Sequence, residues 1–195
     1  MFKLEKLSEK TLLDVLTVLF PTVQDIKKRT FHYTGRRMIV DYYLEIDDNK
    51  FAFEFDGPTH FTRTATQMRD LALQDYCDQN GIILIRIPYF IQIDDATLIA
   101  YFGYEFCQQY DLLGKIDSEY KHGFIDRGAI LPADYNATGV QLYIDHYKFF
   151  FTGRNDCWSV SQSIFQHAHD MYTMEEFIGL LPDEELEELW YNFPT

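Results

Sequence analysis

Basic residues are in short supply in this chain: 17 Lys and Arg stand against 31 Asp and Glu, a formal net charge of −14 at pH 7. Phosphate binding draws on a basic surface, so this balance argues against a nucleic-acid enzyme. Long apolar runs are missing too. No window approaches the ~20 apolar residues of a membrane span, and no membrane partner is expected. The first residues, Met1-Phe2-Lys3-Leu4-Glu5-Lys6, lack the apolar run of a signal peptide, which makes a cytoplasmic location the expectation. Cysteine is sparse: Cys77, Cys107 and Cys157 are odd in number and widely spaced, which argues against a disulfide framework or a zinc finger and for reduced thiols. His167 and His169 would join His146 or Cys157 as a zinc set only if side chains two apart on a helix converged, and they diverge. Internal repeats and low-complexity tracts are absent as well, which excludes a solenoid.

What is present is a packed composition, 47% apolar and 17% aromatic over 195 residues, enough for one good core and a small appended unit. The acidity is unevenly spread. Residues 1 to 100 hold 12 Lys and Arg against 15 Asp and Glu, and residues 101 to 195 hold 5 against 16. The expected organisation is an α/β core over 1–112, an irregular connection over 113–136 and a mostly helical, acidic region over 137–195.

Within the core, Ser8 followed by Glu9 to Leu19, with Leu12, Leu13, Leu16 and Leu19 at helical spacing, predicts an amphipathic helix stopped by Pro21. Strands are predicted near Thr30 to Tyr33, over 37–46 and over 50–56, the last two joined as a hairpin by Asp47-Asp48-Asn49. Gln67 to Asn80 reads as a helix capped by Gly81, and Ile82 to Ile87 as a buried central strand. Asp95 to Tyr110 reads as a helix, and Lys115 to Asn136 as irregular surface chain. Beyond it, Val140 to Phe151, Ser159 to Met171 and Asp183 to Tyr191 are expected to be helical, with Thr173 and Glu176 spaced as a capping box.

The chemistry gathers on two short strands. Asp41 lies in the apolar run Val40-Asp41-Tyr42-Tyr43-Leu44, and Phe51-Ala52-Phe53-Glu54-Phe55-Asp56-Gly57-Pro58-Thr59-His60 follows it. Strand alternation sends Ala52, Glu54 and Asp56 to one face and Phe51, Phe53 and Phe55 to the other. Two carboxylates then share a face of an aromatic strand, where an unpaired buried acid is costly. A hard divalent cation would relieve their repulsion, and such cations drive phosphodiester hydrolysis. The Gly57-Pro58 turn can swing the His60 imidazole back over the acids, where it would move a proton near neutral pH. Lys27, Lys28, Arg29, Arg36, Arg37, Arg63 and Arg69 flank the acids in sequence and form either a phosphate-contacting rim or a solvated basic loop. Arg86, at the end of the Ile82 to Ile87 run, meets either a phosphate or an acid of the site.

Asp41, the Glu54-Phe55-Asp56-Gly57 turn into His60-Phe61, the pair Arg69-Asp70 and the run from Tyr76-Cys77-Asp78 through Gly81 and Arg86 to Tyr89 resemble the very short patch repair-like endonucleases of the PD-(D/E)XK superfamily. The similarity is greatest to their EDxHD branch, known from phage-borne homing endonucleases and free-standing relatives, and it covers residues 5 to 100. It implies a restriction-endonuclease-like α/β core, a mixed sheet flanked by helices, followed here by the mostly helical C-terminal extension. It also implies a divalent cation, Mg2+ or alternatively Mn2+, at the acids. Carried over, the pattern's Glu is Glu9, its first Asp is Asp41, its variable position is Phe55 with only a backbone carbonyl to offer, its His is His60 and its last Asp is Asp70. The resemblance makes Asp41 with Glu54 or Asp56 the metal ligands and His60 the general base or acid. Asp70 would orient His60 or the water, and Glu9 would support the site from the first helix. Two departures stand out. The helix after Asp70 reads Leu71-Ala72-Leu73-Gln74-Asp75 where relatives carry basic residues, and Asp56 occupies the position of the superfamily's catalytic lysine.

The expected function is therefore a metal-dependent endodeoxyribonuclease, phage or mobile-element encoded, acting in the cytoplasm of a bacterial host on DNA, with RNA left open. The rival expectation is a nuclease-fold protein without cleavage that binds a protein, or mimics DNA, through its acidic C-terminal half. Tyr143, Tyr147, Phe149, Phe150, Phe151, Trp158, Phe165, Trp190 and Tyr191 are either core there or a partner or homodimer surface. The strip Asp183 to Glu188 is either a solvated helix face or a device that mimics DNA or restrains the site.

Overall fold

The computed structural model describes residues 1–5, 7–118 and 134–151, and of residues 147, 148, 150 and 151 the backbone alone. The helices expected over Ser159 to Met171 and Asp183 to Tyr191, the Thr173 and Glu176 capping box, the acidic strip from Asp183, the candidate ligands Cys157, His167 and His169, and most of the irregular connection lie outside the described residues. Contacts divide the chain into two compact units, Met1–His60 with Ala65–Lys121, and Phe61–Thr64 with His122–Thr195.

The first unit is α/β, as the alternation of strand and helix patterns predicts. Strands β2 (Lys27–Tyr33), β3 (Arg36–Ile46), β4 (Asn49–Asp56) and β5 (Ile82–Pro88) form one mixed sheet in the order β2-β3-β4-β5, preceded by β1 (Phe2–Leu4) and α1 (Glu9–Leu19). The first three strands run antiparallel through tight turns. Thr34 and Gly35, at φ 48° and 75°, make the two-residue turn between β2 and β3, and Asp47 at φ 51° turns β3 into β4. Strand β5 lies parallel to β4, and a parallel neighbour needs a crossover, here α2 (Thr59–Thr62) and α3 (Thr64–Gln79). Helices α4 (Asp95–Phe102) and α5 (Tyr104–Gln109) follow, and β6 (Ile116–Ser118) pairs with β1 in a separate two-stranded sheet. The single helix expected from Asp95 to Tyr110 is thus two helices. Gly103 stands between them at φ 81°, a left-handed value that ends α4.

Both faces of the sheet are covered. Tyr42, Leu44, Phe51, Phe53, Ile85 and Ile87 pack with Leu12, Val15, Leu16 and Leu19 of α1, Leu98 of α4 and Cys107 of α5. Met38, Val40, Tyr43 and Ala52 pack with Leu73 and Cys77 of α3 on the other face. The phenylalanines of β4 therefore turn away from α3, and Ala52 turns toward it, as alternation requires. Burying side chains such as Phe51 and Phe53 contributes about 1.5–3 kcal/mol each. Helix α1 is started by a reciprocal cap, with Ser8 Oγ accepting from the Thr11 N–H and Thr11 Oγ1 from the Ser8 N–H.

One irregularity bears on function. Lys27 lies opposite Tyr43, yet Arg29 lies opposite Val40, so β3 carries one extra residue at Asp41-Tyr42. This bulge explains why Val40 faces α3 while Tyr42, two residues on, faces α1.

In the second unit, α6 (Ala137–Phe151) begins three residues ahead of the expected Val140. Asn136 Oδ1 accepts from the Gly139 N–H at its start, and Tyr135 stacks on Phe61 at 5.7 Å between centroids. A Cβ at Gly139 would lie 1.4 Å from the Phe61 carbonyl oxygen, so only glycine fits there. Among the described residues, no helix is long and apolar enough to cross a membrane.

Candidate active site

Glu54 and Asp56 project from β4 toward the face that α3 covers, and both are buried, at 6% and 1% exposure. Their surroundings differ. Glu54 Oε1 has no hydrogen-bond partner. Burial, then the charges of Asp41 and Asp56, push the Glu54 carboxyl up to about 8, against the opposing pull of Arg86. Asp56 instead holds a bidentate ion pair: Arg86 Nε donates to Oδ2 at 2.7 Å and Arg86 Nη2 to Oδ1 at 2.8 Å.

Asp41 stands at the bulge of β3. The β3–β4 ladder ends at the pair Tyr42 and Phe53, and beyond it the Phe55 N–H donates to Asp41 Oδ2 at 2.9 Å. Burial pushes the Asp41 carboxyl up and Glu9 adds to the rise, while the Phe55 N–H and Lys28 oppose it. Lys28 Nζ donates to Glu9 Oε1 and lies 3.7 Å from Asp41 Oδ1. The Tyr42 hydroxyl donates to the Glu9 carbonyl at 3.0 Å, tying the first turn of α1 to the sheet. Glu9, placed from sequence only by its distance to the strands, is thus brought beside Asp41.

His60 lies on α2, its N–H donating to the Gly57 carbonyl across the turn at 3.0 Å. Its Nδ1 is 2.7 Å from Asp70 Oδ2, 3.3 Å from Asp56 Oδ1 and 3.0 Å from Arg86 Nη2. Arg86 Nη2 also donates to Asp70 Oδ2 at 2.8 Å. Burial raises the Asp70 carboxyl, but the His60 hydrogen bond and the Arg86 guanidinium outweigh it and hold the group below its ordinary value. For Arg86, burial works against the charge and the two carboxylates outweigh it, so its pKa rises.

Glu54, Asp56 and His60 each offer a ligand atom within 4.8 Å of the others. The donor set suits a hard cation, and the unpartnered Glu54 oxygen is the buried polar atom such an ion would satisfy. Arg86 donates to both oxygens of Asp56, which leaves Glu54 as the carboxylate of this cluster with an unpartnered oxygen.

The expected basic rim divides. Lys28 and Arg86 are part of the acid cluster. Lys27 pairs with Asp25, and Arg29 pairs with Glu45 at 3.1 Å while lying over the Tyr43 ring at 4.0 Å. These two line an open cleft of about 700 Å³ that none of the site acids borders. Arg36, Arg37 and Arg69 are exposed, and among the described residues they have no carboxylate partner. Arg63 is exposed and belongs to the second unit.

Sequence reasoning left Arg86 between a phosphate and an acid; the structure pairs it with acids. The signal available was a lone arginine in an apolar strand, which needs a buried partner. Tyr101, whose hydroxyl donates to the Arg86 carbonyl at 2.9 Å, left no sequence signal. No protein-family model, no curated protein and no solved structure matches the chain.

Proposed function

We propose that this chain is a metal-dependent endodeoxyribonuclease of the very short patch repair-like type, with Asp41 and Glu54 holding Mg2+ or Mn2+. One observation carries the reading: a buried carboxylate with an unpartnered oxygen, Glu54, stands beside a second carboxylate whose own pKa is raised, Asp41. Two such groups share a site comfortably only when one is protonated or a cation lies between them. When bound, the cation supplies Lewis acidity toward the scissile phosphate and the attacking water. The remaining work falls to the protein. His60, donating its Nδ1 proton to Asp70, keeps Nε2 to accept a proton from water or to return one to the leaving oxygen. Glu9 and Lys28 steady Asp41 from α1 and β2. An enzyme of this kind acts in the cytoplasm of a bacterial host, encoded by a phage or mobile element.

The test is cleavage of supercoiled plasmid and of labelled single-stranded DNA with Mg2+ or Mn2+ at low salt, wild type beside Asp41→Ala, Glu54→Gln and His60→Ala. Wild type is expected to cleave, with cleavage abolished by chelator and in both acid variants. Loss of a positioned acid–base group slows such reactions by about 10²–10⁴-fold, and His60→Ala is expected in that range. A wild-type protein inert with both metals on both substrates would remove catalysis from the reading.

A further inference from the structure

We infer that Arg86 is a positioning residue: its guanidinium fixes Asp70, which holds His60 in the tautomer protonated on Nδ1, and it withdraws Asp56 from the metal-ligand set. The inference rests on the reading of His60 as the proton-transfer group. The parallel register sets Arg86 beside Glu54 on the neighbouring strand. Its fork nevertheless reaches past Glu54 to both oxygens of Asp56 and on to Asp70. One arginine thus occupies Asp56 and leaves Glu54 unpartnered.

A guanidinium has donors only and is never deprotonated in a protein. It acts on the imidazole through Asp70, whose Oδ2 it holds against Nδ1. With a bare Nδ1, His60 would accept from Arg86 Nη2 at 3.0 Å but would set its lone pair against Asp70 Oδ2 at 2.7 Å. With the proton on Nδ1, the hydrogen goes to Asp70 Oδ2, and Arg86 Nη2 gives its hydrogens to Asp56 and Asp70. The second arrangement satisfies every carboxylate oxygen in contact with the ring, and bonds to ionised acceptors are the stronger kind. Nε2 then carries the lone pair. Lysine could not replace this fork, because three in-plane donations to two carboxylates need the guanidinium plane.

The experiment uses full-length protein with isotope-labelled histidine and reads the imidazole tautomers by nitrogen NMR. Six histidines contribute, and the His60 signal is identified by its loss in His60→Gln. Wild type is expected to show His60 protonated on Nδ1. Arg86→Lys keeps the charge and loses the fork. It is expected to mix the tautomers and lower cleavage by about 10- to 100-fold, the usual range for outer-shell partners. Mn2+ affinity, measured by calorimetry with the metal alone, should stay at the wild-type value in Asp56→Asn. A wild-type His60 protonated on Nε2 would overturn the inference. So would an Arg86→Lys variant with unchanged tautomer and rate, or a loss of Mn2+ binding in Asp56→Asn. If Arg86→Lys does not fold, the wild-type tautomer and the Asp56→Asn titration decide. A wild type that cleaves nothing yet shows the Nδ1 tautomer would retire the nuclease reading and leave the clamp in place.

Discussion

Glu54 makes the metal-free protein sensitive to pH in a predictable direction. Its carboxyl titrates at about 8 in the folded chain against 4.5 as an ordinary glutamate. Between those values the folded state keeps a proton that the unfolded state has released, so stability falls as pH rises through the window and the penalty is complete above it. Each pKa unit is worth about 1.4 kcal/mol, which makes the loss several kcal/mol. Asp70 has the opposite sign: held below 3.8, it contributes stability above that value and loses it as pH falls further, outside the Glu54 window. Glu54→Gln is therefore expected to be more stable than wild type at pH 8 in chelator and close to it at pH 5. Mg2+ should then raise the stability of wild type alone, by mass action. Urea unfolding across that pH range checks this, and parallel pH profiles for the two proteins would take Glu54 out of the site. At this scale the sequence was legible where a residue type contradicted its surroundings. Glu54 and Asp56 stood out as acids in an aromatic strand. What it could not show was the choice among partners: Arg86 selects Asp56 over Glu54 through a diagonal reach, two residues along the neighbouring strand, which no spacing encodes.

Helix α3 has two tasks that its sequence presents separately. Leu73 and Cys77 close the core over Ala52, and Asp70, one turn earlier, meets His60 and Arg86. Packing on one stripe thus aims the carboxylate on the next. Leu73→Ala is expected to cost about 2–5 kcal/mol through the cavity it leaves. On the proposed nuclease reading it should also slow cleavage at temperatures where the variant remains folded, because Asp70 loses its fixed position. Denaturant unfolding paired with single-turnover cleavage measures both, and a destabilised variant with wild-type cleavage would separate the two tasks. Strands β3 and β4 were readable from alternation and from the Asp47-Asp48 turn, and β5 from its apolar run. The bulge at Asp41 was not, because an extra residue shows only when the partner strand's register is known. The pairing of β1 with β6 joins segments more than a hundred residues apart and carries no local signal.

Over the whole molecule, a net charge of −14 opposes any approach to DNA. On the proposed nuclease reading, DNA must then be met through a local positive surface, and the distribution of charge in the described residues narrows the choice. Lys27, Lys28, Arg29 and Arg86 spend their charge on neighbouring carboxylates. Arg36 and Arg37, at the exposed turn between β2 and β3, are the pair left to meet phosphates within one hairpin. Each phosphate contact by a cation contributes about 0.9 to the slope of log affinity against log salt on duplex DNA. The double variant Arg36→Ala with Arg37→Ala is therefore expected to lower that slope by about 2 and to weaken binding equally across DNA sequences, since phosphate contacts carry no base information. Fluorescence anisotropy on labelled duplexes, with Asp41→Ala as the background to prevent cleavage, reads the slope directly. An unchanged slope would mean that the hairpin does not touch the backbone, and the exposed Arg69 on α3 would be the next cation to examine.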